Sequence, residues 1–235
     1  MRVFIVLVLM GGIGLWAESL PQWMISLREA IYEQQLSAQE IWPLYMEAKA
    51  NAQAQLSGTA LNLALSRCEY FMGRAYHYYK QNDEALAYYT EGTRLAEQAL
   101  AAEPSSEAWL MRAENLSQSC AVGSVSFALA NGLSVERFAK NALALNSRNA
   151  AAQIIVASRW VYAPAPFHNH RRGIEMMMAI PNNGDMEKDD RFNVYAAIGY
   201  AYVQQRKYDD ARPWLLRALE IYPTNKYAAE LLNQR

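Results

Sequence analysis

The sequence predicts an all-α chain in which antiparallel helix pairs stack side by side into a solenoid. Three observations carry that expectation. Of 235 residues 52% are hydrophobic, Ala, Leu, Gln and Glu crowd the chain, and Gly and Pro number only 11 and 8. Alanine and straight-chain residues lose little rotamer freedom in a helix, so the composition favours helices throughout. Apolar residues also recur at helical spacing along most of the length. Finally, small, aromatic and proline landmarks return in the same order in successive segments, which is the mark of a repeat architecture.

Residues 1–17 are expected to be a cleaved export signal. Arg2 supplies the positive start, Val3 to Met10 with Ile13 and Leu15 the short apolar run, and Ala17 the small residue before Glu18. The run is short for a bilayer span, so cleavage would leave no stable membrane segment, and retention as an anchor is the alternative. No Cys stands near the cut, so lipoprotein modification is not expected. This reading places the chain in the periplasm or another extracytoplasmic space, with residues 18–235 as one helical domain.

Near the start of that domain Trp23, Leu27, Ala30 and Ile31 share a helix face, and Ser37 to Glu40 reads as a capping box opening a helix through Ile41, Tyr45 and Ala48. A first repeat, 66–104, has Met72, Gly73 and Tyr76, a turn at Gln81-Asn82-Asp83, then Ala85 and Tyr89. Its second helix continues to Pro104 and is expected to project beyond the stack. The second repeat, 106–147, puts Trp109 and Ala113 at the large and small positions. Its first helix is read as running to an Asn131-Gly132 cap, with Ser134 opening the next. The small residues over 123–130 signal either close packing or a break. The third repeat, 149–181, pairs helices over 150–162 and 171–180, separated by Ala163-Pro164-Ala165-Pro166 and ended by Pro181. The fourth, 192–225, is the clearest. Phe192, Tyr195, Ile198, Gly199 and Tyr202 precede Ala211, Leu215, Ala218 and Pro223. Gly199 and Ala211 are small where two helices cross, and Pro223 ends the second. Leu231 and Leu232 lie on a last helix expected to cap the open end of the stack.

From Cys68 to Leu232 these landmarks resemble the tetratricopeptide repeat (TPR) superfamily. The resemblance implies a helix-pair superhelix acting as a protein-interaction scaffold, with a protein or peptide as partner, no catalytic step and no cofactor. Export and long helix pairs also look like the T-component family of tripartite ATP-independent periplasmic (TRAP) transporters. That likeness implies a periplasmic solute-binding protein as partner and an apolar channel for a hydrophobic or carboxylate solute, although the family's lipobox Cys has no counterpart here. Residues 135–146 with Arg159-Trp160-Val161-Tyr162 are similar to the regulator of microtubule dynamics family, a likeness of architecture.

The densest cluster of recognition-type residues is Arg159, Trp160, Tyr162, Phe167, His168, His170 and Arg171. Arginine suits a carboxylate, aromatic rings line pockets, and loops on rigid scaffolds often carry sites. The alternative places Trp160 and Phe167 in the core and leaves the arginines solvated. By register Asn193, Ala196, Tyr200 and Val203 face the concave groove, making Asn193 and Tyr200 candidate contacts for an extended peptide. Most of the 15 tyrosines are expected to pack between helices.

Several function classes are disfavoured. Lys plus Arg total 22 against 23 acids, and the longest basic run is Arg171-Arg172, too little to hold a phosphate backbone, so no nucleic-acid partner is expected. His168 and His170 make two ligands where a closed zinc site needs four, so no metal is expected. No nucleophile elbow or Gly-rich phosphate loop occurs, and Glu187, Asp189 and Asp190 suit a helix N-terminus. Cys68 and Cys120 are expected to be free, buried thiols about 15 Å apart, beyond disulfide reach.

Overall fold

The computed structural model describes residues 20–234, and the expected export signal lies outside them. Among the described residues the chain forms eleven helices and no strand. They are α1 Gln22–Glu33, α2 Ala38–Gln55, α3 Gly58–Tyr78, α4 Asn82–Ala102, α5 Ser106–Val122, α6 Val125–Leu145, α7 Ala150–Tyr162, α8 His170–Asn183, α9 Lys188–Gln204, α10 Tyr208–Ile221 and α11 Lys226–Leu232. Short connections force neighbours to run antiparallel. The pairs are α3 with α4, α5 with α6, α7 with α8 and α9 with α10.

The first and last of these pairs are copies at one register. A Cβ on Gly73 of α3 would come within 2.5 Å of the Tyr89 ring on α4, and one on Gly199 of α9 within 2.5 Å of Leu215 on α10. Ala85 and Ala211 are buried at the matching places on the second helices. Even the turns agree. Lys80 and Arg206 both take a left-handed backbone, with φ of 60° and 59°. Lys80 N–H donates to His77 O at 2.9 Å and Gln81 N–H to Tyr76 O at 3.1 Å, while Arg206 N–H donates to Val203 O at 2.8 Å and Lys207 N–H to Tyr202 O at 3.0 Å. Small residues therefore lock the crossings where the sequence placed them.

Other boundaries differ from the sequence expectation. α3 starts at Gly58 rather than near Ser66, which puts Cys68 in mid-helix. Because α3 and α4 each have 21 residues, the extension of α4 does not project. Its Ala96 and Ala99 are buried with Leu63 of α3 and Ala108, Leu110 and Met111 of α5. α5 stops at Val122, so the small-residue stretch marks a break. Gly123 N–H bonds back to Ser119 O at 2.9 Å, and the Ser124 hydroxyl accepts the Phe127 N–H at 3.1 Å, capping α6. Asn131, Gly132 and Ser134 all lie inside α6. Gly132 does not take the left-handed backbone, so nothing there demands a turn. Pro181 lies in the last turn of α8, which Gly184 ends, since a proline removes one N–H without uncoiling the turn behind it. Both cysteines are free, Cys68 buried but Cys120 only half-buried.

A polar crossing sits among the apolar ones. Ser66 on α3 donates to Gly92 O on α4 at 2.7 Å and accepts from Asn115 Nδ2 on α5 at 3.2 Å. A Cβ on Gly92 would lie 2.1 Å from Asn115 Oδ1. Three helices thus meet through one hydroxyl, and its bonds offset part of the cost of burial, Asn115 Oδ1 accepting none among the described residues.

The end of the stack is not left open. α1 packs on α2 and α3 and is joined to the last repeat by hydrogen bonds. Tyr32 stacks on Tyr222 at 4.9 Å and meets Phe192 edge-on at 5.5 Å. Asn225 Nδ2 donates to Tyr32 O at 2.7 Å, and the Lys226 N–H donates to Gln34 Oε1 at 2.8 Å. One core cluster accordingly spans α1 to α4 and includes Phe192, Ala196, Ala218, Tyr222 and Ala228. The solenoid curls until its final pair rests on its first helix.

Candidate functional site

The groove register on α9 is Asn193, Ala196, Tyr200 and Val203. The same register on α3, counted from the matching glycines, is Arg67, Tyr70, Arg74 and His77. α5 contributes Glu107, Glu114 and Gln118 at helical spacing. The first helices of the pairs therefore turn a polar and aromatic face inward, while their crossings are apolar except where Ser66 and Asn115 meet.

Arg74 is the centre of that face. Its Nη1 donates to Tyr32 OH at 2.6 Å and to Tyr70 OH at 3.3 Å, and its guanidinium lies 4.4 Å over the Tyr32 ring and 5.8 Å from that of Tyr70. Asn193 Nδ2 donates to the same Tyr32 hydroxyl at 3.0 Å. Among the described residues Arg74 makes no salt bridge, whereas Arg67 pairs with Glu107 and Arg28 holds Glu187 at 2.6 Å and Asp189 at 3.1 Å. Glu114 likewise has no ion-pair partner among them. Burial pushes its carboxyl up to about 7, Arg67 pulls it down and Asp189 pushes it further up. At one rim burial and the neighbouring Asp189 carry the Asp190 carboxyl to about 8, against the pull of its bond from the Glu187 backbone. A guanidinium and a carboxyl thus face the same interior without each other or any other ionic partner in bonding contact.

Tyrosines complete the lining. Tyr162 of α7 lies 4.9 Å from Tyr200 of α9. It keeps 44% of its surface accessible, yet desolvation pushes its phenol up to about 12, against the pull of a hydrogen bond with Tyr227 and with a further push from Tyr200. Burial also raises the phenol of Tyr227 on α11, beside Tyr162.

The nine residues singled out from the sequence fall into two groups. Tyr162, Asn193 and Tyr200 lie on the inner face. Arg159 pairs with Glu136 of α6. Trp160 lies beneath Arg172, whose guanidinium is 4.0 Å from the ring, with that of Arg159 at 5.1 Å. Phe167 is exposed. The His168 and His170 rings stack at 4.3 Å, and burial together with His168 lowers the His170 pKa. Arg171 pairs with Glu175 on the surface at 3.0 Å. Sequence reasoning overlooked Arg74, Tyr70 and Glu114, although the register that gave Asn193 and Tyr200 leads straight to Arg74 when carried back to Gly73.

Residues 192–225 match the sequence model of the tetratricopeptide repeat. No curated protein matches the chain. Among solved structures it is similar to YrrB, a TPR protein with an unusual peptide-binding site, at 14% identity and a TM-score of 0.41, covering 88% of this chain and 89% of that one. It is also similar to the APC/C hetero-tetramer Cut9–Hcn1, at 13% identity and a TM-score of 0.32, over 92% of this chain and 49% of that one. The repeat assignment stands on residues 192–225 and on the matching crossings and turns of the first pair. Among the described residues the chain is an all-α helix-repeat protein, with a tetratricopeptide repeat matched at residues 192–225.

Proposed function

We propose that this protein is a non-catalytic, extracytoplasmic interaction scaffold that holds an extended peptide segment of a partner protein against its inner face. The observation that carries the reading is Arg74, an enclosed guanidinium whose hydrogen bonds among the described residues go to the phenols of Tyr32 and Tyr70. Those contacts leave N–H donors for a carboxylate, and charge-assisted bonds to Arg are the stronger kind. Tyr162, Tyr200 and the half-buried Tyr227 offer rings to a partner, the buried Tyr32 and Tyr70 hold Arg74 from behind, and Asn193 is the sort of amide that pairs with a peptide backbone. The partner segment is therefore expected to be extended, to carry an acidic side chain or its own C-terminal carboxylate, and to bind more tightly below pH 7, where Glu114 is protonated. The apolar channel and solute-binding partner implied by the transporter resemblance gain no support from this face, which is ionic and phenolic.

Selection from a random peptide library tests the reading. Acid-bearing sequences should be enriched, and Arg74→Ala should weaken the selected peptide by about tenfold or more, the worth of a charged hydrogen bond. An Arg74→Ala protein of unchanged far-UV circular dichroism and unchanged affinity would remove the inner face from consideration.

A further inference from the structure

Residues 115–135 contain no charged side chain. They form the last turns of α5, the Gly123-Ser124 turn and the first half of α6, a helical hairpin tip. Val125, Leu129 and Leu133 are 77%, 67% and 69% exposed, the most exposed large apolar side chains among the described residues. Their spacing puts them in one row along α6. Several polar groups of the tip bond within it. Ser119 donates to Asn115 O at 3.0 Å, Ser124 and Ser126 bond at 2.9 Å, and Asn131 Nδ2 donates to Phe127 O at 2.9 Å. A tip with capped backbone and internally bonded side chains can leave water at little polar cost.

Directly below that row a shallow hollow of about 450 Å³ opens between α6 and α7, lined by Leu133, Glu136, Arg137, Lys140, Asn141 and Arg159. It holds three cations and one carboxylate. Glu136 is shared by Lys140, at 2.8 Å, and Arg159. Arg137 lies beside its own Phe138 ring, 5.2 Å from the centroid. Leu133 belongs to both the row and the hollow. At 1.5 Å per residue the row is about 12 Å long and the cations begin within about 10 Å beyond it. Those lengths match an apolar segment entering the acyl boundary with its charges at headgroup depth.

We propose that the α5–α6 tip docks on an anionic lipid bilayer, with Val125, Leu129 and Leu133 entering the acyl boundary and the cationic hollow facing a lipid phosphate. The contact is interfacial, since no helix among the described residues is long and apolar enough to cross a membrane. A second copy of the chain fits less well. A parallel twofold contact through this row would set one cationic hollow against another, and an antiparallel one would set each hollow beside the partner's uncharged tip, so neither brings an unpaired acid to the cations.

Co-sedimentation of the full chain with vesicles tests this, comparing phosphatidylcholine alone with phosphatidylcholine mixed with phosphatidylglycerol. Insertion is read separately from an environment-sensitive fluorophore on Val125→Cys in a Cys120→Ser background, Cys68 being buried. Phosphatidylglycerol vesicles should blue-shift and brighten the probe. Leu129→Ser with Leu133→Ser should abolish that response without changing circular dichroism, both positions being exposed. Arg137→Ala and Lys140→Ala should each weaken partitioning by about fivefold, and added salt should mimic them. A probe unmoved by anionic vesicles overturns the proposal, as does a response equal on both vesicle types. So does a lipid-independent dimer in sedimentation equilibrium that the Leu pair dissolves, or probe burial that appears only with a protein partner.

Discussion

Replacing Gly199 with Ala asks whether the crossing of α9 and α10 is as tight as described. The new Cβ would lie 2.5 Å from Leu215 Cδ2 and 2.6 Å from Cγ. Carbon atoms normally rest at about 3.5–4.0 Å, so two atoms overlap by about 1 Å. Leu215 is 1% exposed and cannot swing out of the way, and Cγ is not its far end. Overpacking of this kind costs about 3 kcal/mol at the top of its range, and the better helix propensity of Ala returns about 1 kcal/mol, leaving a loss of about 2 kcal/mol. Gly132 provides the control. It is also helical, but nothing lies within 4 Å of its Cβ position, so Gly132→Ala should gain about 0.5–1 kcal/mol. Urea unfolding followed by circular dichroism would separate the two variants by about 1 M in midpoint, given a slope of about 2–3 kcal/mol/M. A Gly199→Ala protein as stable as Gly132→Ala would refute the crossing.

Stability should fall as pH rises from about 4 to about 8, because the folded chain keeps protons on Asp190 and Glu114 that the unfolded chain releases near the ordinary carboxylate value. Asp190→Asn retains an acceptor for the Glu187 N–H, so it should be more stable than wild type at pH 8 and show a shallower pH slope in urea titrations; an unchanged slope would mean Asp190 ionises freely. Glu69 is 2% exposed and takes bonds from Tyr45 OH at 2.8 and 3.0 Å and from Lys49 at 2.8 Å. Lys49→Met should therefore cost about 2 kcal/mol, partly recovered by adding Glu69→Gln, as a double-mutant cycle would measure. Lys80→Gly and Arg206→Gly relieve a left-handed residue at the same turn of two repeats, and each should raise the unfolding midpoint by an amount worth about 1 kcal/mol. A loss at either position would show that the two turns are not equivalent.

The crossings were legible because they are local. Gly199, Ala211 and Leu215 declare themselves through spacing within one helix pair, and so do Gly73, Ala85 and Tyr89. The α5–α6 boundary was harder, since Gly123 and the Asn131-Gly132 pair are both acceptable ends and only the Ser124 cap decides between them. α4 was expected to project because the early start of α3 at Gly58, which covers it, carries no proline or glycine-pair signal. Curling of the stack onto α1 was not legible at all. It depends on Tyr32 reaching Phe192 and Tyr222 across most of the chain, a contact set by the summed twist of four helix pairs. The inner face was half legible. Asn193 and Tyr200 follow from the register, but the conspicuous run from Arg159 to Arg172 pairs mostly with its own neighbours, and Arg74 carries no signal beyond the register in a helix whose landmarks are small residues.

Hydrogen exchange of the chain with and without a selected acidic peptide tests the central claim, that partners bind the inner face around Arg74. Protection is predicted over residues 67–77 of α3, 107–118 of α5 and 189–200 of α9, three stretches distant in sequence that share only that face. Protection confined to 159–172, or to the outer helices α8 and α10, would contradict the account.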